Sequence, residues 1–258
     1  MPAKRIGRIS RKTAIRTGVA LALATGVGAA HAQSSLPPDF VHLRAVDPSI
    51  AQDIRYAGAN NFTGRPLDGY AAAECILRRD AAAALSRVQA QLAGSGLALK
   101  VYDCYRPHRA VRAMVRWVKD DGLDDAAKRF HPRLGKRSLL SGYIAARSRH
   151  STGTAVDLTL VARVPVHVAS VAPAAAAPCI APAAQRGDGE SIDMGTGFDC
   201  FDRNSHRNAP EIGAESRRWR AVLAAAMRKQ GFHSYHREWW HFSYGSAAPL
   251  AYHDFPVR

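Results

Sequence analysis

Two short segments, about 80 residues apart, constrain this chain more than anything else in it. The first reads Ser148-Arg149-His150-Ser151-Thr152-Gly153-Thr154-Ala155-Val156-Asp157, with His150 and Asp157 set around a glycine and small residues. The second, Glu238-Trp239-Trp240-His241, supplies another imidazole with an acid three positions ahead of it. Two imidazoles and one carboxylate are a common donor set for catalytic zinc, which leaves the fourth tetrahedral position for water. A further carboxylate close to a ligand is where a general base for that water belongs. Either segment alone is weak evidence; the pairing carries the reading, and it requires distant parts of the chain to meet.

The first 32 residues read as a secretory signal. They hold Lys4, Arg5, Arg8, Arg11, Lys12 and Arg16 and no acid, followed by an apolar run of small residues from Val19. Ala30-His31-Ala32 fits the small-x-small cleavage rule and would leave Gln33 as the first mature residue. The apolar run is too short to span a bilayer comfortably, so no stable membrane anchor is expected after processing; a retained anchor is the alternative. Subtracting those six charges from the formal +15 leaves about +9 for residues 33–258. That charge is spread along the chain, with no basic block interleaved with aromatics. It reads as a solvated basic surface facing an anionic cell envelope, and no nucleic-acid partner is expected.

Export changes the meaning of Cys75, Cys104, Cys179 and Cys200. Four cysteines in an oxidising compartment can form two disulfides in three connectivities, and none is spaced as a zinc knuckle. Local pairing, Cys75 with Cys104 and Cys179 with Cys200, is the expectation. Free buried thiols are the alternative.

With 258 residues and 47% hydrophobic content, one catalytic domain over 33–258 is expected. Residues 34–47 read as an extended lead-in, and 53–56 as a short strand ending in a turn-rich loop. Residues 79–94 are a helix, with Ala81, Leu85, Val88 and Leu92 at helical spacing and Gly94 as its stop. Residues 97–102 alternate as a strand, which sets Arg106 at a strand end just before Pro107. Residues 109–118 resume as a helix, and 155–160 form a buried strand holding Asp157. Residues 161–190, rich in Ala, Val and Pro, read as a surface insertion tethered by Cys179. Residues 215–230 are a helix burying Trp219, Val222, Leu223, Ala226 and Met227. Residues 235–244 read as an aromatic strand carrying Glu238 and His241. Ideal alternation would send those two side chains to opposite faces, so a bulge or strand end is required between them. The mixture without βαβ repetition predicts an α+β fold, a single domain with a central antiparallel sheet flanked by helices.

Together these motifs resemble the zinc-dependent D-alanyl-D-alanine dipeptidases. The match is carried by Tyr56-Ala57 with Asn61-Phe62-Thr63-Gly64, Tyr105-Arg106-Pro107, the 148–157 segment with Leu158-Thr159-Leu160, Met194-Gly195-Thr196 with Phe198-Asp199, Glu238-Trp239-Trp240-His241, and Asp254-Phe255-Pro256-Val257. They run in collinear order over nearly the whole mature chain. The resemblance implies one zinc ion per chain held by His150, Asp157 and His241. It makes Glu238 the general base and acid, and Arg106 the cation that steadies the oxyanion. Tyr56, Ser148 and Asp199 fall where the family holds its small substrate, with Asp199 a partner for the ammonium group. His206 has no place in that zinc set. The departures are the signal segment, the four cysteines and residues 161–190, which point to a periplasmic or secreted member.

The chemistry of these side chains agrees. Glu238 can move a proton from water to a leaving amine. Arg106 stays charged and offers a fork of donors where negative charge develops. The expected function is zinc-dependent hydrolysis of the D-alanyl-D-alanine dipeptide in cell-wall peptide turnover. The rivals are a D,D-carboxypeptidase acting on peptidoglycan stem peptides and a non-catalytic, zinc-stabilised envelope-binding module. Nothing in the sequence fixes the oligomeric state.

Overall fold

Apolar alternation becomes strands, and helical period becomes helices, in the computed structural model, which describes residues 36–120, 122, 127–163, 177–245 and 250–258. The expected signal segment and residues 164–176 of the expected insertion lie outside the described residues. In chain order come β1 (Phe40–His42), α1 (Leu43–Val46), β2 (Ala51–Gln52), β3 (Ile76–Arg78), α2 (Arg79–Ala93), β4 (Leu97–Asp103) and α3 (His108–Lys119). They are followed by β5 (Ala155–Ala162), α4 (Ala183–Arg186), α5 (Ala214–Lys229), β6 (Phe232–Ser234) and β7 (His241–Tyr244). Five strands form one sheet in the order β2-β4-β5-β7-β6, and β1 pairs with β3 separately. The sheet is antiparallel except at one edge, where β2 runs parallel to β4. The helices α2 and α5 pack against β4 and β5 and against each other. Described residues from Leu36 onward form one compact unit. This is the mixed α+β arrangement expected.

The helices follow their sequence pattern. In α2, Ala81, Leu85, Val88 and Leu92 are buried and Asp80 sits in the first turn, where it complements the helix dipole. Pro107, whose fixed φ suits a helix start, precedes α3, and Val111, Met114 and Val118 face inward. The buried face of α5 departs from the expected one. Leu223, Ala226 and Met227 are buried with Ser216 and Arg220, whereas Trp219 and Val222 are only partly buried. Arg220 turns inward because its guanidinium finds three backbone carbonyls, those of Met194, Asn204 and His206.

Four other expectations need correction. The lead-in before Asp47 is β1 and α1; a three-residue strand has no period to read and exists because Phe40 to His42 find Arg78 to Ile76 as partners. The strand expected at 53–56 is a 3-10 turn, Arg55–Ala57, whose backbone bonds close locally and bury Tyr56. Of the aromatic strand expected at 235–244 only 241–244 is strand, β7; the residues before it form the turn that joins β6 to β7 and buries Trp239 and Trp240. The described part of 161–190 is not all surface. β5 runs on to Ala162, and Arg186 is buried against Asp188 and Asp193.

Two disulfides join Cys75 to Cys104 and Cys179 to Cys200, 29 and 21 residues apart. Loops of that size, closed in the unfolded chain, correspond to roughly 3 kcal/mol of stabilisation each. The first ties the residue before β3 to the residue after β4, directly behind the Arg106 segment. Aromatic rings pack together in the core: Phe62 sits 5.0 Å from Trp117 and 5.1 Å from Phe201, ring to ring.

Candidate active site and metal centre

Register brings the donors together. Asp157 on β5 stands opposite Asp103 at the end of β4 on one side and opposite His241, the first residue of β7, on the other. Directly opposed residues of antiparallel strands project to the same face, so these three side chains share one level of the sheet. His150 reaches that level from a 3-10 turn, Arg149–Thr152, that leads into β5. Ser148 caps the turn by accepting from the His150 backbone N–H at 3.3 Å. Gly153 ends it with φ +74, where a side chain is disfavoured and an added Cβ would meet Phe40 at 2.2 Å. The Ser-x-His-x-x-Gly spacing of the sequence is this turn.

His150 Nε2, Asp157 Oδ1 and His241 Nδ1 lie 3.0–3.2 Å apart. Among the described residues they form the group of three side chains able to share a metal ion. Tetrahedral bonds of about 2.0–2.1 Å set donors roughly 3.3 Å apart, so the cluster has the right size for zinc. Its tautomers also fit. His150 Nδ1 donates to the Cys104 carbonyl at 2.7 Å, which leaves the Nε2 lone pair facing the centre. Burial depresses the His241 pKa against the pull of Asp157, which favours a neutral imidazole. Burial would raise the Asp157 carboxyl, but His150 and His241 outweigh it and hold it well below the usual range.

Glu238 lies in the turn before β7. The His241 N–H donates back to the Glu238 carbonyl at 3.3 Å, and this fold-over keeps both side chains on one side, 4.0 Å apart at Oε2 and Nδ1. The strand end demanded by the sequence is therefore here. Arg106 donates from Nε to Asp103 Oδ2 at 2.8 Å and from Nη2 to Asp157 Oδ2 at 3.3 Å, and it lies over the Tyr56 ring at 4.8 Å. Tyr56 in turn donates to both carboxylate oxygens of Asp199, at 3.1 and 2.9 Å. Asp199 has φ 57, the left-handed region that non-glycine residues enter at a cost, which marks it as held in place by its surroundings.

A cleft of about 290 Å³ collects Tyr56, Arg106, Ser148, Asp199 and Glu238 with the three donors. All the singled-out site residues meet there; the disulfide cysteines do not line it. His206 bonds Tyr143 at 3.1 Å and takes no part in the donor group. Sequence reading missed Asp103, which is fully buried and contacts Arg106, His150 (3.4 Å) and the Tyr70 hydroxyl (2.5 Å). Its signal was present, since Asp103 closes the apolar face of β4 that begins Leu97, Leu99, Val101.

Charge at the site is out of balance. Asp103, Asp157, Asp199 and Glu238 surround one buried guanidinium, that of Arg106. Burial, then the negative charge of Asp157, pushes the Asp199 carboxyl up to about 8. The same two causes, joined by Asp199, raise Glu238 well above the ordinary range. Both shifts express a shortage of positive charge, which a divalent cation beside Asp157 and an ammonium beside Asp199 would make good.

The family profile described as peptidase M15, D-ala-D-ala dipeptidase, matches residues 37–170 and 162–258. A D-alanyl-D-alanine dipeptidase of Streptomyces coelicolor is 35% identical over 227 residues, covering 85% of this chain and 98% of that protein. One from Enterococcus faecium is 30% identical over 221 residues, with the same coverage of both chains. One from Escherichia coli is 31% identical over 210 residues, covering 81% of this chain and 86% of its own length.

Proposed function

This chain belongs to the peptidase M15 family of D-ala-D-ala dipeptidases, and from that premise we propose that it hydrolyses D-alanyl-D-alanine with one zinc ion. His150 through Nε2, Asp157 through Oδ1 and His241 through Nδ1 hold the metal. When bound, zinc polarises the scissile carbonyl and makes water a nucleophile near neutral pH. Glu238 takes the proton of the attacking water and delivers it to the leaving amine. Arg106, oriented by Asp103, offers N–H groups to the oxygen on which negative charge develops. Asp199, backed by the Tyr56 hydroxyl, receives the substrate ammonium, and Ser148 lines the wall of the same cleft.

The observation that carries this reading is a buried carboxylate, Asp199, 3% exposed and facing the cleft that the donor group also lines. A buried acid that among the described residues is hydrogen-bonded by a phenol alone is suited to a free amine, which a dipeptide has and a stem peptide lacks at that position. A cleft of about 290 Å³ also lies at the small end for ligand sites, which favours a dipeptide. Residues 1–32 are taken as a signal cleaved after Ala32, which would put residues 33–258 in the periplasm or outside the cell, in turnover of cell-wall peptides. Among the described residues no helix is long and apolar enough to cross a membrane.

Zinc-loaded protein should be mixed with D-Ala-D-Ala, L-Ala-L-Ala, N-acetyl-D-Ala-D-Ala and a stem pentapeptide, and free alanine followed. Fast cleavage of the free D,D-dipeptide alone is expected. Comparable kcat/KM on the pentapeptide would make the protein a carboxypeptidase, and zinc binding with no hydrolysis would make it a binding module.

A further inference from the structure

A second concavity, about 740 Å³, runs along α5 where it meets β6 and the turn at residues 207–208. Among the described residues four arginines line it, Arg207, Arg217, Arg220 and Arg228, and no Asp or Glu does. Arg217 and Arg228 lie eleven residues apart on α5, about 16 Å along the axis at 1.5 Å per residue, with Ala221 and Ala224 between them on the same face. Arg207 stands on the facing wall and donates to Ser234 Oγ at 3.0 Å. Arg217 donates to the Pro210 carbonyl at 3.0 Å, and no described carboxylate pairs with the Arg228 guanidinium.

Arg220 forms the base. It is 2% exposed, and its Nε, Nη1 and Nη2 donate to the carbonyls of Met194, His206 and Asn204 at 2.7, 2.8 and 2.9 Å. Carbonyl oxygens satisfy its N–H groups but cancel none of its charge. Burial accordingly pulls its pKa down to about 9. Buried arginine is ordinarily matched by an acid.

We infer that this groove binds a linear polyanion with closely spaced phosphate groups, laid along α5 between Arg217 and Arg228. Guanidinium forks match phosphate oxygens in geometry and charge. Three helical turns separate the end arginines, which suits a chain better than a single ion, and a concave wall suits a strand better than a flat bilayer. Among the described lining residues Phe232 is buried, no Tyr or Trp is present, and His233 is the one exposed ring, so the succession of stacking rings used by single-stranded nucleic acids is missing. A linear inorganic polyphosphate chain is therefore the occupant.

The test uses the mature protein and long-chain inorganic polyphosphate as the probe, with binding followed across a salt series. Arg217→Gln/Arg228→Gln and, separately, Arg207→Gln/Arg228→Gln are compared with Lys119→Gln/Arg163→Gln, which removes the same charge elsewhere on the surface. Both groove variants should bind at least tenfold more weakly, with a salt dependence shallower by roughly one to two in log–log slope. The control should stay within twofold, and D-Ala-D-Ala hydrolysis should be unchanged in all three, which reports an intact fold. Equal weakening in the control would reduce the groove to diffuse surface charge and overturn the inference. Orthophosphate competing as well per charge, or an oligonucleotide of equal charge binding tenfold tighter, would overturn it as well.

Discussion

The cleft beside β5 and the groove along α5 carry opposite imbalances of charge. In and just behind the cleft, four carboxyl groups share one buried guanidinium; in the groove, four guanidinium groups have no carboxylate among the described lining residues. Burying unpaired charge is costly because it loses its hydration, and this cost falls on the cleft acids and on Arg220, whereas Arg207, Arg217 and Arg228 are exposed. The difference lies in how each is held. Cleft acids sit on sheet strands and turns tied to them, fixed by register, whereas the groove arginines sit on one helix face and an adjoining turn. A sheet level can set three donors within about 3 Å of each other; a helix face spaces its charges by turns. That difference suits the cleft to the compact cation and small zwitterion proposed for it, and the groove to the extended anion proposed there.

The largest effect should come from taking the cation out of the cleft. His241→Ala removes one of three protein donors, so zinc content measured by atomic absorption and hydrolysis of D-Ala-D-Ala should fall together, the latter to background. A variant that keeps stoichiometric zinc would show that the ion is not held here. Next comes Glu238→Gln, which keeps all three donors. Its zinc content should match the parent while turnover drops by ~10²–10⁴-fold, the usual loss for a missing general acid–base; near-full turnover would remove Glu238 from the chemistry.

Arg106→Ala should retain zinc and lose on the order of 10²–10³-fold in kcat, about 3–4 kcal/mol of transition-state stabilisation. Because it also strips Asp103 and Asp157 of their partner, the thermal midpoint should be read beside the rate. Restoration of the rate by Arg106→Lys to the full parent value would argue that charge alone, without the fork, suffices. The smallest of the four is Asp199→Asn. Loss of one charge-assisted hydrogen bond, about 1.5–3 kcal/mol, should raise KM for the free dipeptide by roughly 10- to 150-fold. The same change should barely alter the already poor N-acetylated substrate. If both substrates respond equally, Asp199 shapes the turn and does not receive the amine.

Much of this was legible in the linear order of residues. The period of α2, the alternation of β4 and the proline before α3 place those elements to within a residue or two, because each depends on neighbours three, four or two positions away. The same local rules failed for β1 and for the turn between β6 and β7. Phe40 to His42 become a strand only by pairing with Ile76 to Arg78, and Trp239 and Trp240 are buried in a turn, where hydrophobicity carries no period.

The chain by itself determined the inventory of the site: two imidazoles, their carboxylate, the acid three positions before His241, and the arginine ahead of Pro107. Only the tertiary structure decided how they face one another. Pairing of β4 with β5 and of β5 with β7 sets Asp103, Asp157 and His241 on one level, and so reveals that Arg106 is aimed by an acid no motif singled out. It likewise turned Arg220 inward, where periodicity alone put Trp219 and Val222. Register and helix rotation are chosen by the sum of contacts over the whole molecule. A residue's type states what chemistry it can perform, while its partners depend on free energies spread across segments that sequence distance keeps apart.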